Sequence, residues 1–225
     1  MMFRTACGEA LGAPALAMSA TFLAFGAAVQ TAGLGLGWAL AAALLVYGMP
    51  GQMVLVAAIG TPGGALPSVL GAVTANARFL PMAVALSPWL GAGPRRWWAL
   101  PFIAVTPWAM AMRRLPLLPP GSRLAWFMGF GLTSWLVAGC ATILGHAVAP
   151  LLQGGVLAAL LFVNPLYFAL ILAGEMRSAP ARRAVLGGVC AAPLALFLPA
   201  AWALLGAGLL GGTLAFLWGE WRGRR

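Results

Sequence analysis

Residues 124–149 read LAWFMGFGLTSWLVAGCATILGHAVA, an apolar run without a charged side chain. A helix needs about 20 such residues to cross the ~30 Å hydrocarbon core of a bilayer. Inside that core every backbone polar group needs an internal partner, so only helices or a closed barrel can span it. A barrel strand would alternate apolar and polar residues. This run does not, so it reads as a transmembrane helix. Runs of the same kind lie at about 11–32, 36–60, 64–91, 97–112, 154–174, 184–199 and 201–218. The last two share one apolar stretch split at Pro199. It is too long for one crossing at about 1.5 Å per residue. The 97–112 segment is short for a crossing, and a re-entrant path is its other reading. The first run, broken by Gly12 and Pro14, shows no compact core with a small-residue cleavage site and reads as a retained span. The expected fold is an all-α polytopic membrane protein of about seven or eight transmembrane helices, with 1–225 as a single transmembrane domain.

Composition agrees. The chain is 63% hydrophobic and 7% charged, where soluble domains carry about 25% charged residues. Such a surface would not stay dissolved. All thirteen basic residues are Arg, Asp is absent, and the acids are Glu9, Glu175 and Glu220. The net charge of +10 does not point to nucleic acid, because the arginines form short clusters between apolar runs. Such clusters are topology signals facing a negative membrane surface. A cytoplasmic N-terminus and eight crossings put Arg4, Arg113, Arg114, Arg123 and the arginines from Arg177 onward inside. Arg95 and Arg96 then fall outside, against the rule. That conflict would arise if one early segment failed to cross.

Arg78 is the residue that asks most for an explanation. It lies within the 64–91 run, in Asn76-Ala77-Arg78-Phe79. An Arg at a helix centre costs roughly 2.5–3.5 kcal/mol on insertion scales. No acid lies mid-span, so its partners are backbone carbonyls, water, a substrate carboxylate or an acid on another chain. Structure alone would be served by the carbonyls; function would be served by the substrate. Two proline interruptions come next, at Gly48-Met49-Pro50-Gly51 and at Asn164-Pro165. Proline removes a helix hydrogen bond, and paired breaks in the two halves of a membrane protein point to a transport site. Freed N–H groups at half-helix ends favour a carboxylate. Tyr47, Gln52, Asn76 and Asn164 are the polar side chains beside these features, available to a ligand or to helix–helix bonding. Met49 and Met53 would receive an apolar side chain.

Leu44–Pro50 echoes Leu160–Pro165, which gives a possible duplication with halves 11–112 and 124–218. Chance similarity between apolar helices would give the same echo. Cys7, Cys140 and Cys190 have no metal spacing and read as small apolar residues. His146 reads as a satisfied interfacial side chain, and Trp126, Trp218 and Trp221 as interface anchors. No Ser-His-Asp set, metal motif, paired carboxylates or phosphate loop is present. No catalytic residue, metal or cofactor is therefore expected, and an enzyme is the poorest reading.

In order, these features resemble the AzlC family, the larger subunit of bacterial branched-chain amino acid exporters. The resemblance runs through Phe25-Gly26, Ala32-Gly33-Leu34, Tyr47-Gly48-Met49-Pro50-Gly51-Gln52 and Asn76-Ala77-Arg78-Phe79. It continues at Trp135, Gly139 and Gly145, and at Val163-Asn164-Pro165-Leu166-Tyr167-Phe168. The chain departs from the family where a His after the Arg is Phe79, and where a Thr-Asp-Glu block is Thr106-Pro107-Trp108. The resemblance implies a secondary exporter of branched-chain or other apolar amino acids in the bacterial inner membrane. It also implies a small AzlD-like membrane subunit, which could supply the acid that Arg78 lacks. The substrate site would comprise Arg78, Asn76, Gln52, Tyr47, Gly48, Pro50, Gly51, Asn164 and Pro165. A membrane scaffold or accessory subunit without transport of its own is the other reading, favoured by the missing acids.

Overall fold

The structure is a computed structural model describing residues 2–58, 65–152, 154–198 and 200–223. Its helices are α1 (Met2–Ala10), α2 (Ala13–Thr31), α3 (Leu36–Ala41), α4 (Met49–Ala58), α5 (Ala65–Asn76), α6 (Phe79–Leu86), α7 (Val105–Arg114), α8 (Pro120–Val148), α9 (Gly155–Glu175), α10 (Ala179–Ala191) and α11 (Ala200–Gly223). No strand occurs among the described residues. Pro14, Pro120 and Pro180 sit in first turns, where the missing N–H costs nothing. Stretches long and apolar enough to cross a membrane include Ala13–Thr31, Ser68–Leu90, Pro120–Leu151 and Gly155–Gly174. Outer faces present large apolar side chains such as Leu45, Leu80 and Phe162, 64–83% exposed. Lipid is the solvent that such a surface fits.

The centre is a pair of helices, α2 and α8, running in the same direction. Ala10, just before α2, packs with Trp126 and Phe130 near the start of α8. Leu34, just beyond α2, offers its carbonyl to His146 Nε2 at 3.0 Å, near the end of α8. A carbonyl only accepts, so that nitrogen carries the proton. Glycines set the spacing. A Cβ on Gly26 would strike the main chain of Thr142 and His146, and one on Gly145 the main chain of Leu23. Small residues at such seams let membrane helices gain packing contact. Gly129 likewise admits α1, whose Glu9 accepts from Arg114 Nη2 at 2.8 Å and from Trp126 Nε1 at 3.1 Å. Trp126 is thus fully buried rather than an interface anchor. This end of the molecule is its arginine-rich face.

Two segments read as crossings turn back instead. From Leu34 the chain runs along α8 in the opposite direction, until the Leu44 carbonyl accepts from Trp135 Nε1 at 2.9 Å, midway along that helix. It breaks at Tyr47. Then α4 lies antiparallel to α5, with Gly51 against Asn76 and Gly71 against Val54. A tight turn at Ala77 and Arg78 carries α5 into α6 as one apolar span. That span ends at the arginine-rich face, where Leu86 and Leu90 pack with Ala6 and Trp126. There Arg123 also covers the Trp89 ring at 5.0 Å. Hence α5 begins at the opposite face, and α4 returns to it. Residues 36–58 enter and leave on one side.

The second re-entrant segment comes from the other side. Pro94–Phe102 starts at the arginine-rich face, with Ala99 packed beside Trp126. Ala104 reaches the cluster of Phe22 and Tyr47, and α7 brings the chain back to Glu9 through Arg114. At ten residues, α7 is only about 15 Å long, half a crossing. The re-entrant reading of 97–112 is the one the structure takes, and the crossing read for 36–60 is corrected. Arg95 and Arg96 then share a face with Arg113 and Arg114, which removes the positive-inside conflict.

Asn164-Pro165 does not break its helix. α9 runs unbroken from Gly155 to Glu175 with Pro165 inside it. One lost bond is tolerated in a membrane helix that keeps its remaining main-chain bonds. The echoing stretches at 44–50 and 160–165 therefore take different local forms. α10 and α11 form a hairpin in which Gly187 and Gly211 approach each other's main chain. The proposed split at Pro199 lies outside the described residues.

In a background without native cysteines, Arg95→Cys and Arg113→Cys are expected to react with an impermeant thiol reagent from the same side. Labelling from opposite sides would contradict the re-entrant path. Gly145→Ala is expected to lower the thermal midpoint of the purified protein by a few degrees, since overpacking costs about 1–3 kcal/mol. Gly37→Ala, with open space around it, should leave the midpoint unchanged.

Candidate functional site

The break at Tyr47 is built from a residue in an unfavourable conformation. Tyr47 has φ 43° and ψ 33°, left-handed space that bulky residues avoid. A wide π turn over Ala42–Val46 precedes it. The carbonyls this turn exposes are claimed by side chains: Gln52 Nε2 donates to Ala42 O at 2.9 Å, and Trp135 Nε1 to Leu44 O at 2.9 Å. Gly48 has no side chain because Asn76 and Phe79 fill that space. Pro50 then sits in the first turn of α4, so it follows the break rather than making it.

A second irregularity, unforeseen in the sequence, is the turn at Ala77 and Arg78 between α5 and α6. A third is Ala104, extended at φ −136° and ψ 170° before α7. The three meet with α2 and α9 around one cavity of about 340 Å³. That is near the lower end of the ~300–1,000 Å³ usual for ligand pockets. Among the described residues Arg78 is its one charged lining residue. Its Nε is buried and has no hydrogen-bond partner among the described residues. Its guanidinium carbon stands 5.6 Å from the centre of the Phe79 ring. Tyr47 is 4% exposed and stacks on Phe22 at 6.1 Å, and its hydroxyl also lacks a partner among the described residues. Met18, Met49, Leu161 and Phe168 supply apolar wall, and Thr106 a hydroxyl.

The expected site residues divide into two groups. Arg78, Tyr47, Gly48, Pro50 and Pro165 line the cavity. Gly51, Gln52 and Asn76 stand behind it. Gln52 is fully buried and bonds the broken helix, and the Asn76 amide fits against Gly48 and Gly51. These three hold the break in shape and do not line the cavity. The side chain of Asn164 lies outside the described residues. Met49 lines the cavity as expected, whereas Met53 packs in the cluster around Phe22. The sequence reading missed Phe22, Thr21 and Phe168, because an apolar residue facing a cavity looks like one facing a helix. Among the described residues no group of side chains could hold a metal ion.

These features define a polytopic all-α membrane protein with a small cavity, lined by Arg78, at the meeting of irregular helices. A family model described as AzlC protein matches residues 14–152. That is more than half of the chain, which belongs to the AzlC family, a family associated with branched-chain amino acid transport. The match includes every cavity-lining element except α9. No curated protein and no solved structure matches the chain significantly.

Gln52→Leu leaves the Ala42 carbonyl without its donor. It is expected to cost about 1–3 kcal/mol of stability, read as a lower thermal midpoint, while Arg78-dependent ligand binding persists in the folded fraction. Loss of binding at unchanged stability would instead make Gln52 a ligand contact.

Proposed function

We propose that the chain is a secondary transporter that exports branched-chain or other apolar amino acids from a bacterial cell. One observation carries this reading: a guanidinium in the wall of an apolar cavity, its Nε buried without a partner among the described residues. A desolvated Arg is costly, and a bound carboxylate offsets that cost through charge-assisted hydrogen bonds. Arg78 holds the substrate carboxylate, Tyr47 adds its hydroxyl, and Met18, Met49, Leu161 and Phe168 receive the side chain. The site lies where two re-entrant segments, 36–58 and 94–114, approach from opposite faces. Each can open or close the cavity toward its own face. The halves 11–112 and 124–218 move past one another, with the glycine-lined contact of α2 and α8 as pivot, to give alternating access.

The positive-inside rule supports a cytoplasmic arginine-rich face with the N-terminus inside, and the bacterial inner membrane is the location that the family resemblance implies. A small AzlD-like membrane subunit acts with it, as the family resemblance implies. Efflux of preloaded leucine, valine, isoleucine and methionine from cells expressing the chain tests this reading, with and without the small subunit. Faster efflux needing both chains is expected. Arg78→Ala should lower it about 30-fold or more, since truncating one side of a buried charge pair costs about 2–5 kcal/mol. Unchanged efflux for all four, with both chains in the membrane, would overturn the assignment.

A further inference from the structure

We infer that the arginine-rich face holds the phosphodiester headgroup of an anionic phospholipid between Arg96 and Arg123, at the turn Ser87–Leu90 that follows α6. The inference does not depend on what the Arg78 cavity carries. Two guanidiniums are fixed on this one turn. Arg96 Nη1 donates to Ser87 Oγ at 3.4 Å, and its guanidinium carbon stands 5.2 Å from the centre of the Trp97 ring. Arg123 Nε donates to Leu118 O at 2.9 Å, and its guanidinium carbon stands 5.0 Å from the centre of the Trp89 ring. Ser87 and Trp89 are two residues apart on a 3₁₀ turn, about 4 Å along its axis. Two like charges are thus brought together from distant elements, the re-entrant leg Pro94–Phe102 and the start of α8. The groups that hold them are a hydroxyl, a carbonyl and two rings, none of which is charged.

Like charges at such separations repel, and an anion seated between them reverses the sign of the interaction. Donors for that anion are in place. Arg96 Nε is buried and has no hydrogen-bond partner among the described residues, a costly state for a charged group. Arg123 uses Nε on Leu118 O, which leaves its two terminal nitrogens for a ligand. Ser87 accepts from Arg96, so its own proton remains to be donated. A phosphodiester offers two oxygens that share one negative charge, and guanidinium forks bind such a pair bidentately. The surroundings favour a lipid over a free anion. Trp97 and Trp98 are 58% and 74% exposed beside Arg96, and such rings settle at the level of the headgroups. Val84 on α6 and Leu100 on the re-entrant leg add exposed apolar surface for the acyl chains. Basic pockets between membrane helices hold headgroups in this way. A lipid bound here ties the re-entrant leg to α8.

The test is thermal unfolding of the purified full-length chain in a neutral detergent. Phosphatidylglycerol, phosphatidylcholine with the same acyl chains, or soluble glycerol 3-phosphate is added. Phosphatidylglycerol is expected to raise the midpoint saturably, by about 5 °C or more over phosphatidylcholine. Arg96→Gln combined with Arg123→Gln should remove that difference. Arg177→Gln combined with Arg182→Gln, at the junction of α9 and α10, should keep it. Equal midpoints in the two lipids overturn the inference, as does a difference that survives the loss of Arg96 and Arg123. Equal loss in both double variants overturns it in favour of diffuse charge, and an equal shift with glycerol 3-phosphate in favour of a free-anion site. A second measurement needs only the parent protein. Phosphatidylglycerol with a photoreactive headgroup should label residues 87–98 or Arg123. Labelling confined to other segments overturns the inference whether or not the variants fold.

Discussion

A guanidinium near the middle of a membrane protein needs a counter-charge, and among the described residues no acid lines the cavity beside Arg78. Asp is absent, and among the described residues neither Glu9 nor Glu220 lines the cavity. The cost of that arrangement, several kcal/mol in a bilayer, has to be met locally. The surrounding structure is arranged around it. α5 gives way to a tight turn at Ala77 and Arg78, so the side chain leaves the helix at an irregular point. The rings of Phe79 and Phe22 shape the wall beside it. Of the polar residues that line the cavity with it, Thr21 comes from α2, and Tyr47 and Thr106 come from the two re-entrant segments.

Irregular backbone inside a membrane carries its own demand: every freed N–H and C=O needs a partner. Much of the chain's few polar side chains go to this purpose. Gln52 and Trp135 bond the carbonyls exposed at the π turn, His146 bonds the Leu34 carbonyl after α2, and Asn76 fills the space that Gly48 and Gly51 leave. The rigid frame against which these breaks are held is the α2–α8 contact, where Gly26 and Gly145 bring two backbones together. Support and site are thus distinct sets of residues, although they are interleaved in sequence.

The all-α membrane fold was legible from apolar run length and the arginine clusters. So was Arg78 as the residue that most needs an explanation, because one charge in an apolar run has few of them; the structure puts it in a cavity wall. The Arg95 and Arg96 pair had already signalled that an early segment fails to cross. Which segment failed was not legible, since 36–60 is long enough to span and turns back only because Tyr47 takes a left-handed conformation. Pro165 pointed to a broken helix, but α9 absorbs it, because one missing hydrogen bond does not by itself redirect a long apolar helix. Gln52 and Asn76 were read as ligand contacts. Sequence cannot separate a polar side chain that faces a cavity from one that bonds the backbone behind it. The walls contributed by α2 and α9 left no signal, as their apolar residues have the same composition as lipid-facing ones.

The most direct measurement is the modification rate of Met49→Cys, in a background without Cys7, Cys140 and Cys190, with and without saturating leucine. The account predicts that leucine slows modification, and that Arg78→Gln removes the protection while leaving the unprotected rate unchanged. A rate indifferent to leucine, or protection that survives the loss of the guanidinium, would contradict the claim that this cavity holds the substrate through Arg78.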